Sequence, residues 1–134
     1  MARERTKSVG AVVLSRQKKI LLIFRAQHRF WEFPKGKQGE NETEEQTVAR
    51  ELREEAGIEH FEYVKPFREE IFYTFKLEGR VIERPIVYFL VKTDDTVTLS
   101  KEHTEMKWCT LADARHKVRF DNYQKILDQV EKYL

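Results

Sequence analysis

Alternation of apolar and polar positions divides the chain into two kinds of segment. Ser8 to Ser15 and Lys19 to Arg25 are rich in Val, Ile and Leu and are separated by Arg16-Gln17-Lys18, the pattern of two strands joined as a hairpin. Glu69 to Leu77 and Val81 to Val91 flank Glu78-Gly79-Arg80. Their aromatic and β-branched side chains suit a pleated surface, which predicts a second hairpin. Glu105 to Cys109 reads as one more short strand. Between the hairpins the period becomes helical. Thr43 followed three residues later by Gln46 is a capping box, so a helix begins near Glu44. Strong helix formers continue to Ala56, and Gly57 suits the left-handed turn that ends a helix. Val48, Ala49, Leu52 and Ala56 share its apolar stripe. Thr110-x-x-Asp113 opens a brief helix, and Asp121-x-x-Gln124 predicts a last one carrying Ile126, Leu127, Val130 and Leu134 on one side. This order of elements argues an α/β chain, a mixed β-sheet with helices on its two faces.

The central helix carries a second stripe. Glu51, Glu54 and Glu55 stack at spacings of three and four residues, about 120° from the apolar side. A charged helix face is ordinarily a solvated one, laced with Glu–Arg pairs of little energetic weight. Glu51 and Glu55, however, are like charges four apart, which destabilise a helix by roughly a few tenths of a kcal/mol unless a cation sits between them. Oxygen ligands of this density suit Mg²⁺ or Mn²⁺.

The 23 residues Gly36 to Ile58 match Gly36-x5-Glu42-x7-Arg50-Glu51-Leu52-x-Glu54-Glu55-x-Gly57-Ile58. This pattern resembles the Nudix box, the mark of hydrolases acting on nucleoside diphosphates linked to another group, and no position departs from it. The preceding Trp31-Glu32-Phe33-Pro34-Lys35 resembles the family's usual lead-in. The resemblance implies the Nudix fold, a mixed sheet sandwiched between helices. It also implies that Glu51, Glu54 and Glu55 hold the divalent metal, Mg²⁺ or Mn²⁺, with the Gly36 carbonyl as a further ligand. Arg50 would orient Glu51 through charge-assisted hydrogen bonds, and Glu42 would support the box from its loop. Such a site neutralises a phosphoanhydride and directs water at phosphorus. Members of the family place the general base differently, on a box glutamate or on a later loop. Glu102, six residues before Trp108, occupies the loop position. Glu105 is the expected start of a strand and His103 an expected surface residue.

Substrate choice must come from outside the box. Arg84 to Leu90 and the tail Phe120 to Leu134 are similar to the asymmetric diadenosine tetraphosphate hydrolases of the family, in which a strand tyrosine and an aromatic near the C-terminus sandwich an adenine. Tyr88 and Tyr133 fall on the matching positions, each with packing in the core as its alternative. Arg25, His28, Lys35 and Arg84 are expected to reach phosphates, against a plain structural or surface role. The resemblance thus implies Mg²⁺-dependent cleavage of a dinucleoside polyphosphate, diadenosine tetraphosphate giving ATP and AMP. Removal of pyrophosphate from RNA 5′ ends, hydrolysis of oxidised nucleoside triphosphates, and a nucleotide- or RNA-binding module without turnover are the alternatives.

Composition narrows the rest. A chain of 134 residues with 40% hydrophobic content can bury one core, and no linker divides it, so a single domain over residues 1–134 is expected. The formal net charge is +2, with cations scattered over the N-terminus, Arg16 to Lys19, and Lys101 to Arg119. Scattered cations do not make a nucleic-acid stripe, so nucleic acid enters only as a 5′-end substrate and a small nucleotide is the expected partner. Cys109 stands alone, which excludes an intrachain disulfide or a thiolate zinc site. No stretch approaches the roughly 20 apolar residues of a membrane span, and the first residues lack a signal peptide's apolar core, so the expected location is cytoplasmic.

Overall fold

In the computed structural model, which describes residues 6–134, the elements run β1 (Ser8–Leu14), β2 (Ile20–Arg25), β3 (Phe30–Glu32), β4 (Lys35–Lys37), α1 (Glu44–Ala56), β5 (Glu62–Leu77), β6 (Arg80–Lys92), β7 (His103–Cys109), α2 (Leu111–Lys117) and α3 (Asp121–Glu131). Seven strands form one mixed sheet in the order β3-β2-β1-β6-β5, with β4 added to β1 and β7 to β2. The β1–β6 pairing is parallel and runs the whole length of β1, from Ser8 opposite Ile86 to Leu14 opposite Lys92. On its other edge β1 divides its partners. Its first residues pair with β4, Val9 opposite Gly36, whereas Leu14 pairs with Ile20 of β2. This division carries the β3–β4 segment across the sheet end, towards α1.

Both faces of the sheet are covered, and strand alternation decides which side chain goes where. Val9, Ala11, Val13, Leu21 and Ile23 pack with Val48, Leu52 and Ala56 of α1. Val12, Leu14, Ile20 and Leu22 point the other way, onto Ile126, Leu127 and Val130 of α3. The fold is therefore the α/β sandwich expected. No helix among the described residues is long and apolar enough to cross a membrane.

α1 forms as its sequence requires. Thr43 Oγ1 accepts from the Gln46 N–H, the Gln46 side chain accepts from the Thr43 N–H, and Gly57 closes the helix at φ 66°. At α2 the Thr110 hydroxyl accepts from the Asp113 N–H, also as expected. The Asp121-x-x-Gln124 spacing expected to open the last helix does not cap it. Phe120 is the N-cap of α3 and lends no side-chain hydrogen bond, while the Gln124 amide donates to the carbonyls of Arg115 and Val118, tying α3 to the end of α2. Leu134 lies beyond the last turn of α3 and is exposed, so the apolar side ends at Val130.

Strand bounds differ from the sequence pattern in instructive places. β5 begins at Glu62, because pairing with β6 continues past an irregularity between Tyr63 and Arg68 that contains Pro66. β7 begins at His103 and not at Glu105. β3 and β4 have three residues each, too few for any alternation to show.

Candidate active site

The acid stripe of α1 does not simply face water. The helix lies against β4, so Glu51 and Glu55 are only 8% and 7% exposed, whereas Glu54, on the outer side, is exposed. Gly36 is what allows the approach: a Cβ there would collide with the Glu51 carboxylate. The Lys35 N–H donates to Glu55 Oε1 at 3.1 Å. Burial, then repulsion from Glu51 and Glu32, pushes the Glu55 carboxyl up to about 8. Burial likewise raises Glu51, against the pull of Arg50.

Arg50 organises the cluster. Its Nε donates to Glu42 Oε2 at 2.7 Å, and Nη1 donates to Glu51 at 2.8 Å and to Glu54 at 3.0 Å. Nη2 donates to the Lys37 carbonyl at 2.8 Å and to Glu42 Oε1 at 3.0 Å. Glu42 also accepts from the Gly39 N–H and the Thr47 hydroxyl. These hydrogen bonds, Arg50 first, hold its carboxyl down at about 2. The roles expected for Arg50 and Glu42 thus have matching contacts.

Glu51, Glu54, Glu55 and Gly36 line one cleft of about 390 Å³, and Glu102 and Arg84 stand on the same cleft. Glu102 is 68% exposed and reaches Arg25 Nη1 at 3.3 Å. Arg25 is not free to meet a phosphate. Its Nε is 2.8 Å from Glu32, and its Nη2 is 3.7 Å from Glu55, so it serves as the internal counter-ion of three carboxylates. Arg84 lies over the Phe75 ring at 4.8 Å while still lining the cleft. His103 is buried, with Nε2 2.8 Å from Glu32 Oε2, and is not the surface residue expected. Glu105 is an exposed β7 residue opposite Phe24, away from the cleft lining.

A second cavity of about 660 Å³ opens beside the cleft and shares Arg25, Lys35 and Tyr73 with it. His28, Phe30, Phe72 and Phe120 give it aromatic walls, and Glu32 is at its lining too. Phe30 meets Phe120 edge-on at 5.5 Å. The aromatics expected to stack a base lie elsewhere. Tyr88 is fully buried on β6, against Phe33 and Tyr123, because its register position points into the α3 side of the core. Tyr133 packs on Phe67 at 5.6 Å, beyond the end of α3. Neither lines the cleft or the cavity. Tyr73 and Phe120, which do, carried no sequence signal beyond being aromatic.

The donors fit a hard divalent cation. They are all oxygens, and two of the carboxylates are held close enough to repel each other. They are not gathered as a closed cage among the described residues, since Arg50 Nη1 is shared by Glu51 and Glu54. A cation would have to compete with that guanidinium.

An acidic cleft built on a loop and helix of this pattern defines a class. A family model described as the NUDIX domain matches residues 4–130, and the chain belongs to that family and is a Nudix hydrolase. Nudix hydrolases generally use divalent metals. Among known proteins, the chain is 31% identical over 111 residues to an asymmetrical bis(5′-nucleosyl)-tetraphosphatase of Sus scrofa, covering 78% of this chain and 71% of that protein. It is 34% identical over 112 residues to a CTP pyrophosphohydrolase of Escherichia coli, covering 79% and 77%. The crystal structure of a C. elegans Ap4A hydrolase binary complex superposes with a TM-score of 0.83 at 29% identity, over 96% of each chain.

Proposed function

We propose that this chain is a Mg²⁺-dependent hydrolase of dinucleoside polyphosphates, cleaving a substrate such as diadenosine tetraphosphate to ATP and AMP. The observation that carries this reading is the joining of two spaces. An acidic cleft suited to a polyphosphate's counter-cation runs into an aromatic cavity large enough for a base, with Lys35 and Tyr73 at the seam. The likeness to tetraphosphatases supports it.

Each residue's part follows from where it sits. Glu51, Glu54 and Glu55, with the Gly36 carbonyl, would hold Mg²⁺, which when bound neutralises phosphate oxygens and orients water. Arg50 fixes the carboxylates of Glu51 and Glu54, and Glu42 fixes Arg50. Glu102, exposed on the cleft and held at one oxygen by Arg25, accepts the proton of the attacking water. Lys35 and Arg84 meet phosphate charge along the cleft, His28 meets it at the cavity, and Tyr73 and Phe120 offer ring faces to a base. The likeness to a CTP pyrophosphohydrolase favours a second reading, removal of pyrophosphate from a nucleoside triphosphate.

A product-resolved screen with Mg²⁺ over dinucleoside polyphosphates, nucleoside triphosphates and triphosphorylated RNA tests this directly. ATP and AMP from diadenosine tetraphosphate at the highest kcat/KM are expected. Faster release of pyrophosphate from a mononucleotide would replace the first reading with the second.

A further inference from the structure

Glu32 is buried where three strands meet. β2 pairs with β3, Ile23 opposite Glu32, and with β7, Arg25 opposite His103. Across this span Glu32 Oε2 accepts from Arg25 Nε at 2.8 Å and lies 2.8 Å from His103 Nε2. Burial opposes ionisation of Glu32, but the His103 hydrogen bond and the nearby charges of Lys35 and Arg25 outweigh it and leave its carboxyl lowered. An ionised carboxylate can only accept, so His103 Nε2 carries a hydrogen and donates it. Glu32 Oε1 is buried with no hydrogen-bond partner among the described residues. Stability alone does not account for such a group. A buried ion pair is often no better than apolar side chains of the same volume, and an unsatisfied charged oxygen makes it worse.

What the buried pair holds is the segment that carries Glu102. His103 Nδ1 stands 3.3 Å from Ser100 Oγ, and the His103 N–H donates to the Ser100 carbonyl, closing a turn around Lys101 and Glu102. The Ser100 N–H in turn donates to the Glu55 carbonyl near the end of α1. Phe24 pairs with Glu105 and Arg25 with His103, so Thr104 is an extra residue in β7, a bulge. A bulge re-aims the side chains beside it, and here His103 is buried while Glu102 is exposed on the cleft. The same Glu32 oxygen fixes Glu102 from a second direction. Arg25, bound to it through Nε, reaches Glu102 with Nη1 at 3.3 Å.

We propose that Glu32 and His103 are positioning residues, which set the Glu102 carboxylate on the cleft through the Ser100–His103 turn and through Arg25. This rests on the reading of Glu102 as the acceptor of the water's proton and adds to it the buried groups that hold it there. Position matters at this point, because a shift of about 1 Å in a reacting group can cost roughly 100-fold in rate.

The test measures kcat and KM of the full chain with Mg²⁺ and diadenosine tetraphosphate, or with CTP should the mononucleotide reading prevail. Glu102→Gln should lower kcat by roughly 100-fold or more. His103→Leu should lower it by roughly 10–100-fold with KM little changed. In the Glu102→Gln background it should cost no more than about threefold further, since a residue that acts through another has nothing left to act on. His103→Gln, whose amide can still donate to Glu32, should recover most of the loss, whereas the shorter His103→Asn should not. Additive losses in the double variant, or wild-type kcat in His103→Leu, overturn the proposal. Should His103→Leu fail to fold, equal kcat in His103→Gln and His103→Asn overturns it. In wild type an imidazole N–H resonance protected from solvent exchange is expected, and its absence overturns the assignment whether or not any variant folds. Loss of the underlying reading looks different: Glu102→Gln would keep wild-type kcat, or neither nucleotide would be cleaved, and the proposal would fall with it.

Discussion

The Arg50 guanidinium has five N–H groups, and its five hydrogen bonds run to three glutamates and one carbonyl. A lysine keeps the charge but not the fork that reaches Glu42, Glu51 and Glu54 together. Arg50→Lys should therefore lower kcat by about 10–100-fold, the usual cost of losing a group that orients a ligand, with KM little changed. A lysine variant with wild-type kcat would show that the fork does not organise the carboxylates. The aromatic assignments separate just as cleanly. Tyr73→Ala should raise KM for adenosine substrates, since stacking one base is worth roughly 1–3 kcal/mol. Tyr133→Ala removes packing on Phe67 and should lower the melting temperature while leaving KM unchanged. The opposite pattern, KM moving only with Tyr133, would return the base to the C-terminal tail.

At the scale of elements, the contact between β4 and α1 sets the cleft. Gly36→Ala pushes a methyl into the Glu51 carboxylate, which is the far end of a flexible side chain and can swing aside. The fold should survive with nearly the wild-type melting temperature, while activity falls by roughly 10–100-fold, because the displaced carboxylate loses its place beside Arg50. Unimpaired activity would mean that Glu51 needs no such approach. A second joint ties the start of α1 to the sheet. Glu44 accepts from Arg68 of β5 at 2.9 and 2.7 Å and from Lys7 at 2.7 Å. The Arg68 hydrogen bonds, with those of Lys7, hold its carboxyl at about 2, below the ordinary 4.5. Its contribution to stability is present above about pH 4.5 and is lost as pH falls towards 2. Urea unfolding of Glu44→Gln should show a flatter pH dependence across that window than wild type. Parallel curves for the two proteins would remove Glu44 from the acid response.

For the molecule as a whole, local patterns that repeat were legible in the sequence and patterns created by long-range pairing were not. The helix α1, with its capping box and Gly57, and the β5–β6 hairpin follow from spacing alone, whereas β1 and β2 pair only at Leu14 and Ile20 and find their other partners elsewhere in the sheet. The box glutamates could be read together because a helix fixes their relation, and the structure does place them on one cleft with Glu102, nearly fifty residues further on. The aromatic cavity could not be read, for its walls come mainly from β3, β5 and the start of α3, elements far apart in the chain. Tyr88 looked suited to stacking, but it shares a sheet face with Tyr73 and is buried against Phe33 and Tyr123, whereas Tyr73 lines the cavity. Arg25 and His103 looked like surface or phosphate-binding groups, and only the buried Glu32 between them explains their placement.

On the proposed reading, the crowded carboxylates of α1 are a divalent-cation site. Titration of the purified protein with Mn²⁺, followed by the electron paramagnetic resonance of the free ion, measures this without substrate. Wild type should remove free-ion signal stoichiometrically, and folded Glu55→Gln should do so far more weakly. Equal signal with and without protein, or equal uptake by wild type and Glu55→Gln, would contradict it.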